Sequence, residues 1–382
     1  KGDFVIPDQI AGSGLFNDYR AMIQAQNEYY QELYKKISSR NLEKFSQKGV
    51  GKKQARTLRN LAKEDARYIL GLATETQIGA TINARNLELI MRRFASHHLP
   101  EINELGQRLY ALVHKIAPSI ILFHEANDYD KRTYPDLHKY IKRSKFTTSK
   151  KQKIKQIKDI SLVDHTTDGD IKILAALLFR TSGMDYKQAL KAVKSMSRKK
   201  RIMFFKKACS HMELYDAALR EFEYADLTYS LVVSAACFGQ LKRHRLASIT
   251  CQDYDPGLGF TIPDAVIEAG EHKRFIEIIK RSEKIYKKIS RQFPHLGIYA
   301  LTNAHRKRVL MKMNFRELYH ISRLREDPTA QWDIRDKAEK MSALARKIMP
   351  VTSSLLAGKS DYPEIYRSLY GKNPKITETP SL

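Results

Sequence analysis

Arg243-His244-Arg245, closing the apolar run that begins at Val232, is the densest group of chemistry-bearing side chains in the sequence. Two guanidinium groups and an imidazole supply planar donors that can grip a phosphate or the carbonyl edge of a ring. Gln240 stands just before the triplet and Ser248 just after it. In a chain with 68 lysines and arginines, a surface triplet without function is an equal alternative. A second group is an Asn-x-Arg that occurs twice, as Asn83-Ala84-Arg85 and Asn314-Phe315-Arg316, with Arg93 and Arg325 about three helical turns further on. At a helix start the free N–H groups and the positive end of the dipole favour an anion. Simple helix caps flanked by surface arginines would look the same. Arg67 lies sixteen residues before Asn83, whereas the position sixteen before Asn314 is Ile298. His97-His98 could be taken for a metal pair. Adjacent histidines point different ways on a helix, and no third ligand is spaced for them, so no metal is expected.

The elements that must position these residues come in a repeat. Phe4-Val5-Ile6-Pro7-Asp8 recurs as Phe260-Thr261-Ile262-Pro263-Asp264, and Tyr34-Lys35-Lys36-Ile37 as Tyr286-Lys287-Lys288-Ile289. After each Asn-x-Arg, two helical segments close at Lys115-Ile116-Ala117-Pro118 and Lys347-Ile348-Met349-Pro350. The offset shrinks midway, so the first copy carries an insertion of about twenty residues, and Ser38 to Lys63 is polar enough to be an exposed excursion. The second copy has an upstream half. Ile160 to Val163 reads as a strand, Asp168 to Arg180 and Lys187 to Ser210 as helix, Arg220 to Leu231 as strand, and Val232 to Lys242 as a buried helix. The corresponding half of the first copy would precede Lys1, so the sequence is expected to begin inside a longer protein. This divides the chain into the downstream half of a first module (1–118), a basic linker with Pro135 as breaker (119–157), a second module (158–350) and a partly disordered tail (351–382).

The formal charge of +26 draws polyanions or phosphorylated small molecules without naming them. Lysine-rich stretches at Lys142 to Lys158 and Lys191 to Lys207 read either as solvated faces and linker or as contacts to nucleic acid or an anionic membrane surface. The longest apolar run, Ile173 to Phe179, falls far short of the roughly 20 residues that cross a bilayer, and the start lacks the pattern of a secretion signal. Cys209, Cys237 and Cys251 contain no C-x-x-C pair, which points to neither a disulfide framework nor zinc and fits a reducing, cytoplasmic setting.

Together these groups resemble the flavin-dependent thymidylate synthase family. Its signature is Arg-His-Arg, seven residues, Ser, and an Arg two further on. Gln240 and Arg243 to Ser248 follow that pattern, but Asp253 replaces the Ser and Asp255 the Arg. The likeness continues through Glu221-Phe222-Glu223 and Ala330-Gln331-Trp332-Asp333-Ile334. It implies an α/β (α+β) fold in two modules, each a small, mainly antiparallel sheet flanked by long helices. The implied enzyme is an FAD-dependent methyltransferase that turns dUMP into dTMP with methylenetetrahydrofolate and NADPH, its flavin lying between subunits. By carry-over, Arg243, His244, Arg245, Asn314, Arg316, Asn83 and Arg85 would contact FAD, Gln240 and Arg67 the nucleotide, and Arg325 and Arg93 the uracil ring. The implied assembly is a dimer of fused pseudodimers. Two carboxylates at 253 and 255 repel a phosphate dianion, so one kind of site would be functional and the other decayed or changed. Two rivals stand beside this reading: a non-catalytic paralogue that binds nucleotide or nucleic acid, and a flavoenzyme that alkylates uracil in a polynucleotide.

Overall fold

The computed structural model describes residues 4–46, 51–144 and 157–378. In chain order its helices are α1 (Asp8–Ala11), α2 (Phe16–Ser46), α3 (Lys52–Ala66), α4 (Ala84–Ala95), α5 (Pro100–His114), α6 (Asp128–Arg143), α7 (Gly169–Thr181) and α8 (Tyr186–Ser195). They continue as α9 (Arg198–Ala208), α10 (Ala235–Leu241), α11 (Asp264–Glu268), α12 (His272–Gln292), α13 (Phe315–Arg325), α14 (Trp332–Ile348) and α15 (Tyr362–Tyr370). The strands are β1 (Ile160–His165), β2 (Asp226–Ser234), β3 (Ser248–Cys251) and β4 (Arg306–Asn314). The chain divides into two compact units: Lys1–Lys153 with Ile262–Asn303, and Ile154–Thr261 with Ala304–Leu382. This division follows contact, so α11 and α12 sit in the first unit although the second module expected from the sequence, 158–350, includes them.

The first unit is helical. Tyr19, Met22 and Ile23 of α2 bury against Ile285 and Ile289 of α12, in a core that includes Tyr299 and Ala300. Inside it the Gln26 amide donates to Ser282 Oγ (2.8 Å), and the Tyr29 hydroxyl donates to Glu271 Oε2 (3.2 Å), where Lys36 also pairs. The excursion expected from Ser38 to Lys63 is largely exposed from Gly51 onward, yet apart from Gly51 it is helix where described: α2 runs through Ser46, and α3 lays Leu58, Ala62 and Ala66 inward. That four-residue spacing puts three apolar side chains on one face, which the polar composition masks. A departure also occurs in the expected linker. Asn127 Oδ1 accepts from Asp130 N (3.0 Å) and Asp130 Oδ2 from Asn127 N (3.1 Å), a reciprocal cap that starts α6 despite Pro135 within it. Arg92 holds Asp130 at 2.6 Å. The remainder of the lysine-rich linker, 145–156, lies outside the described residues.

The second unit holds the small antiparallel sheet, in order β1-β2-β4-β3. β2 and β4 pair along their full length, from Asp226↔Asn314 to Ser234↔Arg306. Leu227, Tyr229, Leu231 and Val233 alternate into the core beneath α14, where the Tyr229 hydroxyl donates to Met341 O (3.0 Å). The strand expected from Arg220 is a 3-10 turn to Tyr224, because Phe222 there packs on Phe205 and Tyr319. The helix expected from Val232 starts at Ala235, where Ser234 Oγ accepts from Cys237 N (3.0 Å). The stretch Lys187 to Ser210 is two helices, α8 and α9, broken where Ser197 caps the second.

Beyond residue 350 the expected disorder is not found as far as Glu378. Asp170 accepts from the backbone N–H groups of Val351 (3.0 Å) and Thr352 (2.8 Å), and Tyr362 and Tyr366 donate to the carbonyls of Met212 (2.5 Å) and Ser210 (2.6 Å). Asp327 accepts from Ser360 N and Oγ, both at 3.0 Å. Gly358 permits this approach: a Cβ there would lie 2.7 Å from Asp327 N and 2.8 Å from Glu326 C, both backbone atoms that cannot swing away. Gly358→Ala is therefore expected to cost about 1–3 kcal/mol through overpacking, read as a lower urea midpoint at unchanged slope.

Candidate functional site

The sheet register brings the chemistry-bearing residues of the second unit together. α10 leaves the Ser234 end of β2, and the chain then turns through 242–247 into β3, whose Ser248 lies opposite Lys312 of β4. Lys312 is two residues from Asn314, so Arg243-His244-Arg245 falls beside the start of α13. Asn314 caps that helix, its Oδ1 accepting from Glu317 N at 2.9 Å. Glu317 then turns its carboxylate to the triplet, with Oε1 3.4 Å from His244 Nδ1.

His244 is the hub. Arg325 Nε donates to His244 Nε2 at 3.0 Å, so that nitrogen must be unprotonated and the ring proton sits on Nδ1, toward Glu317. Arg325 Nη1 also donates to Gln240 Oε1 at 3.4 Å. Burial, and after it the like charge of Arg243, holds the Arg325 pKa below its ordinary value. Both His244 and Glu317 are buried, and Glu317 Oε2 has no hydrogen-bond partner.

A cavity of about 410 Å³ opens beside this hub. Arg243, Arg245, Arg316, Arg323 and Lys359 line it, with Met212, Leu214, Tyr215 and Leu246 as its apolar part. Arg316 is already engaged, donating to Ala218 O (2.7 Å) and to Glu223 Oε1 (3.0 Å). Arg323 is 8% exposed, its guanidinium lies 3.7 Å over the Tyr362 ring, and its Nη1 is buried without a partner. Burial lowers its pKa against the opposing effect of Tyr362.

The structure thus joins Gln240, Arg243, His244, Arg245, Arg316 and Arg325 around one cavity and hub, and leaves Asn314 as a cap beneath them. Asp253 is exposed, and Asp255 closes a turn by accepting from Gly257 N at 2.8 Å. The other expected site residues lie in the first unit. Asn83 caps α4, accepting from Asn86 N at 2.9 Å, and Arg85 and Arg93 are exposed on that helix. Arg67 sits in a 3-10 turn with its Nε buried and unpartnered, while its carbonyl accepts from Asn303 Nδ2 (3.1 Å). His97 stacks on His98 at 4.5 Å, and His98 lies 4.8 Å from His295, but among the described residues no group of side chains is arranged to hold a metal ion. No helix among them is long and apolar enough to cross a membrane.

Sequence reading missed Glu317, His320, Arg323 and Lys359. A signal existed for two of them: Arg316, His320 and Arg323 fall at helical spacing and share one face of α13. Lys359 arrives from a distant segment and leaves no local trace.

The sequence profile of the family described as "Thymidylate synthase complementing protein" matches residues 1–119 and 161–351. The chain belongs to this family. A UPF0159 protein of Chlamydia muridarum is 23% identical over 347 residues, covering 90% of this chain and 64% of that protein. A flavin-dependent thymidylate synthase of Thermococcus onnurineus is 33% identical over 131 residues, 31% of this chain and 54% of that enzyme. The chain spans 62–65% of the length of the three UPF0159 relatives it matches. A solved UMP/dUMP methylase of Streptomyces cacaoi, bound with 5-Br dUMP, aligns at a TM-score of 0.40 and 19% identity over 51% of this chain and 92% of that one. The family match ends at residue 351, so Lys359 and Tyr362 lie outside it.

Proposed function

We propose that this chain is part of an FAD-dependent methyltransferase that converts dUMP to dTMP with methylenetetrahydrofolate and NADPH. The observation that carries the reading is the hub: Arg325 bonded to His244 and Gln240, residues about eighty positions away that belong to the family's signature. The cavity fits the cofactor's chemistry. It offers apolar wall for a ring and two buried, unpartnered polar atoms, Glu317 Oε2 as acceptor and Arg323 Nη1 as donor. Arg243, Arg245, Arg316 and His244 would hold the flavin, which when bound supplies the hydride that completes the methyl group. Arg325 would stabilise negative charge on the uracil ring and so raise the nucleophilicity of the carbon that receives the methyl. His244 holds that guanidinium in place, and Glu317 fixes the imidazole tautomer that can do so.

The same reading takes the chain as two copies of one module, the first represented by its downstream half. Pro7 and Pro263 both precede a short helix in extended conformation, at φ −61°, ψ 137° and φ −63°, ψ 142°. Phe4 bridges Thr74 as Phe260 bridges His305, and Asn83 and Asn314 both cap helices. Where the second copy has β4, residues 75–83 of the first are exposed and outside any strand. Asn83, Arg85 and Arg93 would then be flavin and uracil contacts of the first copy, and Arg67, with its unpartnered Nε, its phosphate contact. Self-association of two such chains and a cytoplasmic location belong to this proposal.

A second reading, a paralogue that binds nucleotide without turning it over, is favoured by Asp253 and Asp255, which stand where the family's Ser and Arg would face phosphate. The full chain, incubated with FAD and freed of excess, is expected to retain flavin absorbance near 450 nm and to produce dTMP from dUMP. Retained dUMP with no flavin and no product would instead select the second reading.

A further inference from the structure

Resting on the flavin reading only for the name of one ligand, a second feature of the cavity concerns what else it must hold. A guanidinium that is 8% exposed normally has a carboxylate against it, because burying an unpaired charge is costly. The charge of Glu326 acts on Arg323 from a distance, but the Arg323 Nη1 is buried with no hydrogen-bond partner. The ring of Tyr362, 3.7 Å beneath, supports the guanidinium plane without neutralising it. Tyr362 is itself pinned through its hydroxyl to Met212 O at 2.5 Å, so Arg323 stands on a fixed platform. Lys359 enters the same cavity from the segment that Asp327 and Gly358 clamp to the end of α13. Four cations besides Arg316, which Glu223 pairs, line the cavity against two carboxylates, Asp216 and Glu317. Glu317 faces His244, and Asp216 accepts from Glu213 N at 2.9 Å. The excess of positive charge exceeds what a single carboxylate would neutralise.

We infer that Arg323 and Lys359 form an anion subsite that takes the phosphate or diphosphate of a ligand whose ring occupies the apolar part of the cavity, and that the segment after residue 351 is the wall that builds it. Arginine meets phosphate with two parallel N–H donors, and lysine adds a movable point charge. Lys359 and Tyr362 lie beyond the family match, which ends at residue 351.

Three probes separate this inference from the flavin reading: ADP carries a diphosphate and no flavin, riboflavin a flavin and no phosphate, and FAD both. Affinities are measured by titration calorimetry on the full chain at 0.15 M salt, with Lys359→Met and Arg323→Met variants whose thermal melts are recorded. Lys359 is only half-buried, so its variant keeps the test available should Arg323→Met unfold. Each substitution is expected to weaken ADP and FAD roughly tenfold to a hundredfold, as loss of a charge-assisted hydrogen bond does, and to leave riboflavin unchanged. Wild-type affinities for ADP and FAD in a folded Lys359→Met variant would overturn the subsite. Loss of ADP binding in the variants, with no flavin bound by any form, would uphold the subsite and remove the flavin reading. If none of the three probes binds the wild type, both fall.

Discussion

Lys337→Met is expected to destabilise the second unit by about 3–5 kcal/mol. Lys337 is 5% exposed and its Nζ lies 2.9 Å from Asp336 Oδ2, 3.3 Å from Asp159 Oδ2 and 3.9 Å from Asp333 Oδ1. Asp333 is buried too, and accepts from Ser234 Oγ at 2.6 Å, the hydroxyl that caps α10. One ammonium therefore ties the residue before β1, the end of β2 and the first turns of α14. Methionine fills the space but removes the ammonium that Asp336, Asp159 and the buried Asp333 share. Burial alone would lower the Lys337 pKa, yet the bond to Asp336 and the charges of Asp333 and Asp159 raise it above its ordinary value. A raised folded-state pKa contributes stability that is present below the unfolded value, near 10.5, and is lost as pH rises through the folded one. Asp336 works in the opposite sense. Its burial is outweighed by Lys340 and Lys337, its pKa falls, and its contribution is present above about pH 3.8 and lost on acidification. Urea midpoints of the variant should lie below wild type by a constant amount at neutral pH, and the gap should close as pH is raised past the lysine range. A gap that persists unchanged at high pH would show that packing, not charge, was lost.

How much of this was legible beforehand depends on whether the deciding partner was near in sequence. The caps at Asn83 and Asn314, the strand at Ile160 and the helix after Asp168 are local matters, and the structure has them. Val232 to Ser234 reads as helix because its apolar run suits either state. It is strand because Arg306 to Arg308 pair with it, and no local window contains that partner. The tail read as disordered for a related reason. Its composition is polar, but its tyrosines reach carbonyls some 150 residues away, as Tyr362 does at Met212. At the site, Gln240, His244 and Arg325 were named from a family pattern and are bonded together, while Glu317 was missed. Its role, facing His244, depends on a turn brought alongside by the β3–β4 register.

Arg325→Lys is expected to lower turnover of dUMP in the full-length protein by roughly a hundredfold to a thousandfold while leaving folding intact. The substitution keeps a positive charge, so simple charge attraction would predict a small change. What it removes is geometry: Nε bonds to His244 and Nη1 to Gln240 at the same time, which a single ammonium cannot reproduce. Arg325 is also only partly buried, and burial together with the like charge of Arg243 works against its charged form, so lysine can move its charge toward water. If Arg325 acts on the reacting ring, kcat should fall far more than the affinity for dUMP, because the interaction strengthens as charge develops. If it serves only to hold His244, then Gln240→Ala, which leaves the Nε bond in place, should be near wild type, and Arg325→Lys should raise KM and spare kcat. Steady-state parameters for these two variants, set against unchanged thermal melts, decide between action on the substrate and support of the histidine.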